Sequence, residues 1–260
     1  MSKQKLTIVK VGGNVINNPK ALTSFLTDFA ALEGNKILVH GGGKRATQLA
    51  GDLGIEATMI NGRRVTDEAT IEIVTMVYAG LLNKNIVATL QSNNCNALGL
   101  SGADGNSIQA HKRVVVDVDY GFAGDVDGIN AKNIATFIKG GMTPVFCAIT
   151  HDGKGQLLNT NADTIASTIA VGMSDLYDVS LVYTFEKNGV LTSVEDDNSV
   201  ITDINSEKYT QLKTDGVIAD GMLPKMENCF NALQKGVSEV IIGNPTVIKN
   251  KEQLFTRLTM

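Results

Sequence analysis

Tryptophan is absent from this 260-residue chain, aromatic residues make up 5%, and there are only four prolines and three cysteines. Each scarcity removes a class of protein. Three widely spaced cysteines (Cys95, Cys147 and Cys229) with no CxxC pair do not make a disulfide scaffold or a thiolate metal site. They read as reduced, buried small residues of a cytoplasmic protein. No block of Lys and Arg stands out and the net charge is −4, so a broad basic face for nucleic acid is not expected. Small anionic ligands remain possible, because a few local cations suffice for them. No long hydrophobic run opens the chain. Lys10 interrupts Leu6-Thr7-Ile8-Val9, which is too short for a signal-peptide core or a membrane span. Internal repeats, low-complexity tracts and linkers are also missing.

What is present is an ordinary globular composition, 43% apolar and 19% charged, with 26 glycines. Residues 5–11 predict a strand broken by Gly12-Gly13-Asn14, followed by a helix over 19–33 that starts at Pro19. A second strand over 36–40 ends in Gly41-Gly42-Gly43, and a helix is expected over 44–53. This β-loop-α repetition predicts a mostly parallel sheet covered by helices. The longest helical pattern covers 67–90, with Thr66 as a plausible cap. The segment 93–129 predicts a small hairpin region beside the main sheet, with strand-like runs at 107–110 and 113–118. Further on come helices at 130–139 and 159–173, strands at 144–149 and 178–184, and a turn at 187–189. Helices at 203–213 and 222–235, a strand at 237–242 and a C-terminal helix at 251–258 complete the prediction. A first lobe at 1–175 and a second at 176–260 would share one sheet, with the ligand cleft across its strand ends.

The two glycine clusters are the first candidates for chemistry. Glycine lets backbone N–H groups approach an anion with no Cβ in the way, and consecutive N–H groups near a helix start make an anion nest. A mere tight turn is the plainer reading for either cluster alone. Neither cluster is a P-loop: Leu38 stands where the first glycine belongs and Arg45 where Ser or Thr belongs. No GxGxxG follows the first strand. His40-Gly41-Gly42-Gly43 is similar to a lipase oxyanion loop, but Gly99-Leu100-Ser101-Gly102-Ala103 fails as a nucleophile elbow at its last position. Lys10, inside an apolar strand, is costly to bury unless it meets an anion. Lys225 stands near a helix start, an unfavourable place for a cation without an anionic partner. Asn159-Thr160-Asn161-Ala162-Asp163 begins another helix, where an Asn cap and a first-turn Asp are normal dressing. These groups could equally position two lysines and a substrate. Arg63-Arg64 at a further helix start is either a solvated pair or a clamp for a carboxylate.

Taken in order, several segments resemble the N-acetylglutamate kinase family of the amino acid kinase superfamily. They are Lys10-Val11-Gly12-Gly13, His40-Gly41-Gly42-Gly43, Asn61-Gly62-Arg63-Arg64-Val65-Thr66 and the run Gly99–Asn106. They continue with Gly121-Phe122-Ala123-Gly124-Asp125-Val126, Asn159-Thr160-Asn161-Ala162-Asp163 and Asp220-Gly221-Met222-Leu223-Pro224-Lys225. The resemblance spans nearly the whole chain. It implies a three-layer α/β/α sandwich around a mostly parallel central sheet, with the acyl-amino-acid site and dimerisation in 1–175 and ATP binding in 176–260. It also implies ATP with Mg²⁺, the ion held by phosphates and water rather than by a protein metal site. The reaction would phosphorylate the side-chain carboxylate of N-acetyl-L-glutamate, or N-succinyl-L-glutamate, in the second step of arginine biosynthesis.

By the same resemblance Lys10 and Lys225 would contact the phosphates and Asp163 would hold both ammonium groups. Gly12, Gly13, Gly42 and Gly43 would cradle phosphate oxygens. Arg64 and Asn161, with Gly42 and Gly43, would seat the substrate, and the 93–129 region would lie over its acyl group. The alternatives are another phosphotransferase of the superfamily, acting on N-acetylaminoadipate or carbamate, and a non-catalytic nucleotide- or amino-acid-binding regulator. A homodimer built on the 67–90 helix is expected, with Tyr78 and Leu82 reporting the interface. Because the chain begins almost at its first strand, strong arginine feedback is not expected. One departure stands out: many relatives carry Asp-Val-x-Gly-Val after the 178–184 strand, where this chain has Phe185-Glu186-Lys187-Asn188-Gly189.

Overall fold

The structure, a computed structural model, describes residues 3–193, 195–218, 222–249 and 253–260. Alternation of β-branched and aliphatic residues in Lys5–Val11 makes a strand buried on both faces, and it lies in the middle of an eight-stranded sheet. In spatial order the strands are Asp203–Ile204, Thr256–Leu258, Glu239–Gly243, Asp178–Thr184, Lys5–Val11, Asn35–His40, Thr143–Cys147 and Ala97–Leu100. All neighbours pair parallel except Thr256–Leu258 against Glu239–Gly243. Leu6 and Ile8 face one buried layer, which includes the helices Ala162–Met173 and Leu223–Gln234. Val9 and Val11 face the other, with the helices Pro19–Ala31 and Asn83–Ser92. This is the three-layer α/β/α sandwich expected. The sheet crosses residue 175 through the pairing of Lys5–Val11 with Asp178–Thr184.

Several elements differ from expectation. The helix over 67–90 runs from Glu68 to Ser92, and its middle, Met76–Leu82, is a seven-residue π-helix. Asp67, not Thr66, caps it: Asp67 Oδ1 accepts from Thr70 N–H at 2.8 Å. Thr66 is buried and bonds elsewhere, its Oγ1 accepting from Asn159 at 3.0 Å. An 18-residue window of this 25-residue run has a mean hydropathy of 1.4, long and apolar enough by itself to cross a membrane. Ile73, Val74, Val77, Ile86 and Leu90 are buried inside the protein, so it packs as a core helix. Tyr78 is 5% exposed and turns inward with Leu82 toward the glycine loop, while Met76 and Leu81 face out.

The 93–129 segment is not one hairpin. Ala97–Leu100 joins the main sheet as an edge strand, because its buried side chains pack on the long helix. Ile108–Lys112 and Gly124–Ile129 do form a hairpin, completed by Ile149–His151 and Leu157–Asn159 into a four-stranded sheet. Val114, Val115 and Val116 stand exposed in the connecting loop instead of forming a strand. The run 144–149 is divided between the two sheets, and 203–204 is a short strand before the helix Ser206–Thr214. The C-terminal helix is also replaced: 256–258 is a strand. Period-two burial decides it, with Thr256 and Leu258 inside and Arg257 outside on Glu239 at 2.7 Å.

Candidate active site

Lys10 alternates with Leu6 and Ile8, so its side chain faces the layer of the helix Ala162–Met173. That helix starts at the open ends of the parallel strands, where Asn161 Oδ1 accepts from Asp163 N–H and Thr164 N–H at 2.7 and 3.2 Å. Capping brings Asp163 Oδ1 to 2.8 Å from Lys10 Nζ, with the lysine only 12% exposed. The contact is an ion pair by distance without hydrogen-bond angles, and Asp163 Oδ1 is a buried acceptor with demand to spare. Lys225 arrives from the opposite side, in the first turn of Leu223–Gln234. Among the described residues no carboxylate lies within ion-pair reach of it. Asp220 and Gly221 of that motif lie outside the described residues.

Two clefts meet here. One, of about 710 Å³, is lined by Gly41, Gly42, Gly43, Arg64, Asn159 and Asn161. The other, of about 670 Å³, is lined by Lys10, Gly12, Gly13, Asn14, Glu186 and Lys187. Asp163, Lys225 and Phe185 belong to both. The expected residues thus gather around one junction.

The glycine loops are built differently. Gly12 N–H donates to Thr184 Oγ1 at 3.2 Å, and a Cβ on Gly12 would stand 2.7 Å from the Thr184 carbonyl oxygen. Gly13 opens the one-turn helix Gly13–Ile16, whose first N–H groups have no acceptor within the helix. Gly42 caps the longer helix Gly43–Asp52, and a Cβ there would collide with Leu82 and Tyr78. The π-helix brings these two side chains onto the loop, and the next residue, Asn83, donates to His40 Nε2 at 3.0 Å. His40 Nδ1–H in turn donates to the Gly41 carbonyl at 2.9 Å. Full burial holds the imidazole neutral, its pKa pushed down to about 4, with Lys84 contributing in the same direction.

Arg64 decides which member of the arginine pair matters. Arg63 is exposed, whereas Arg64 is 9% exposed and donates to the Gly43 carbonyl at 3.0 Å and Thr47 Oγ1 at 2.8 Å. No carboxylate among the described residues pairs with it. A buried guanidinium held by neutral acceptors beside a cleft suits an anion. Arg113, also on the cleft wall, is already committed to Asp125 by Nε at 3.0 and 3.2 Å, and its guanidinium holds the Asp125 carboxyl below the usual range. Among the described residues no three His, Cys, Asp or Glu groups gather as a metal site.

Sequence reasoning passed over Tyr183 and Phe185. Val179, Leu181, Tyr183 and Phe185 alternate onto one face, and Tyr183 pairs in register with Lys10. The Tyr183 hydroxyl donates to the Asp163 carbonyl at 3.1 Å. That alternation was readable; its register against Lys10 was not.

Two cations and a carboxylate stand where two clefts meet, on the carboxyl ends of an open α/β sheet, the place where open α/β folds bind their ligands. Residues 5–244 match the model of the amino acid kinase family, to which the chain belongs. It is 58% identical to the acetylglutamate kinase of Cytophaga hutchinsonii over 92% of this chain and 91% of that protein. It is 54% identical to that of Phocaeicola vulgatus, over 95% and 99%. Within the family, then, it falls among the acetylglutamate kinases. Among solved structures, smu.665 of Streptococcus mutans superposes with a TM-score of 0.74 at 25% identity, covering 98% of both chains.

Proposed function

We propose that this chain transfers the γ-phosphoryl group of ATP to the side-chain carboxylate of N-acetyl-L-glutamate, at the junction of Lys10, Asp163 and Lys225. The observation that carries this reading is that the two clefts share Asp163 and Lys225 while Lys10 pairs with Asp163 between them. ATP lies in the cleft of Gly12, Gly13 and Glu186, mainly against residues 176–260. The amino acid lies in the cleft of Gly42, Gly43 and Arg64, within residues 1–175. Arg64 takes its α-carboxylate and Asn161 seats it beside the helix start.

A carboxylate is already a nucleophile, so no general base is needed. One of its oxygens forms the new bond to the γ-phosphorus, the bond to the β,γ-bridging oxygen breaks, and ADP leaves with that electron pair. The barrier to lower is repulsion between anions. Lys10 and Lys225 offset charge on the transferring group, and the free N–H groups of both glycine loops add fixed dipoles. Asp163 holds the Lys10 ammonium at the junction, and Lys225 faces it from the opposite side without an ion pair among the described residues. The donor set fits a nucleotide carrying Mg²⁺ on its phosphates: cations face the cleft, and among the described residues no protein cluster competes for the ion. When bound, Mg²⁺ neutralises charge on the β- and γ-oxygens.

A homodimer would use the outer face of Glu68–Ser92, where Met76 and Leu81 are exposed. Three buried, unpaired thiols accord with a cytoplasmic setting. The test is ADP release with Mg-ATP and a panel of N-acetylglutamate, N-succinylglutamate, N-acetylaminoadipate, glutamate and carbamate, with hydroxylamine to trap acyl phosphate. Turnover confined to N-acetylglutamate supports the reading. Silence from folded protein that binds ATP refutes it.

A further inference from the structure

We infer that Phe185 is a positioning residue for phosphoryl transfer, its ring serving as a shared platform for the ammonium groups of Lys10 and Lys225. The inference rests on the roles proposed above for the two lysines. Lys225 Nζ lies 4.4 Å from the centroid of the Phe185 ring, over its face, and Lys10 Nζ lies over the same ring at 5.8 Å. Both distances fall in the range where the negative π face attracts a cation.

The ring itself is held. Tyr183 stacks on it with centroids 6.1 Å apart and planes 20° from parallel. Tyr183 is tied by its hydroxyl to the backbone carbonyl of Asp163. One line of contacts therefore runs from the start of the Asp163 helix through two rings to Lys225. Phe185 follows the strand Asp178–Thr184 on the face that carries Tyr183 and, across the register, Lys10.

The chemistry explains why a ring suits this place. Two ammonium groups stand near one carboxylate, and Lys10 is the one that pairs with it. A second carboxylate could hold Lys225, but it would take up ammonium N–H donors and set a negative charge against the incoming phosphates. A π face holds the cation while leaving its N–H groups free for phosphate oxygens. It also removes water from one side of the pair, which strengthens every charge interaction there.

The test combines turnover with a spectroscopic readout on the protein labelled at lysine with ¹³C. The wild type should show ring-shifted, upfield ε-methylene signals for Lys225, assigned by their loss in Lys225→Arg. Phe185→Leu should return those signals to ordinary positions and lower kcat about two- to thirtyfold, with the acceptor KM held. Phe185→Tyr keeps the face and should restore the shift and most of the turnover. Phe185→Asp should raise the KM for ATP as well. Unshifted Lys225 signals in the wild type overturn the platform. So does Phe185→Leu turning over like the wild type beside an inactive Lys225→Ala. An active Lys225→Ala instead overturns the proposed role of the lysine, and with it the platform's part in transfer. Phe185 is half-buried, so folding of each variant is checked by thermal melting, and Phe185→Tyr carries the test if Phe185→Leu does not fold.

Discussion

The two glycine loops follow neighbouring parallel strands and open helices at the same edge of the sheet, yet they are restrained by different kinds of neighbour. The Gly12 loop is pinned by backbone: the carbonyl of Thr184 leaves no room for a side chain, and the Thr184 hydroxyl takes the Gly12 N–H. The Gly42 loop is pinned by side chains, with Leu82 and Tyr78 from the π-helix above it and the neutral His40 beneath. A backbone wall cannot be repacked, whereas a side-chain wall can be trimmed. The Gly12 loop therefore resists change, and the Gly42 loop can be retuned by substitutions at Leu82 and Tyr78 behind it.

The largest effect should come from the charge between the loops. Lys10→Ala removes a cation facing the transferring group and strands Asp163, and kcat should fall about 10²–10³-fold or more while ATP still binds. Single-turnover ADP formation with equilibrium nucleotide binding reads both. On the acceptor side, Arg64→Ala should raise the KM for N-acetylglutamate about a hundredfold and leave the KM for ATP in place, since it removes a buried, charge-assisted contact. A matched loss on both substrates would dissolve the division between the clefts.

The loops themselves can be compared by volume. Gly12→Ala and Gly42→Ala should each destabilise the fold by about 1–3 kcal/mol through overpacking. Adding Leu82→Ala should recover most of the loss at Gly42, and no truncation of the Thr184 side chain should recover it at Gly12, because the obstacle is a carbonyl. Urea unfolding of the single and double variants decides this.

The smallest effect is the pH response of the acceptor loop. His40 binds its proton more weakly folded, near pH 4, than unfolded, near 6.5. The unfolded state therefore takes up more protons between those values, and stability present above pH 6.5 is lost as pH falls toward 4. Between pH 8 and pH 6 the loss should be about 1 kcal/mol, and it should grow at lower pH. His40→Gln should flatten that slope in urea titrations; an unchanged slope would place the proton uptake elsewhere.

The sequence by itself determined the parallel core and offered the charged residues that the fold gathers at the junction of the two clefts. Lys5–Val11 and Asn35–His40 are short, β-branched runs ended by glycine, and a strand buried on both faces needs nothing more to be recognised. Lys10 and Lys225 stand out because a cation in an apolar strand or near a helix start is costly on local grounds, whereas Asp163 is ordinary first-turn dressing that only the family resemblance singles out. Tertiary structure alone decided three other things. The stretch 256–258 is a strand rather than a helix, since Glu239–Gly243 on one side and Asp203–Ile204 on the other supply its hydrogen-bond partners. The middle of the long helix is a π-helix facing Gly42, which no period in 67–90 announces. Phe185 lies beneath two lysines, because register between strands more than 160 residues apart in sequence is set by pairing, not by pattern.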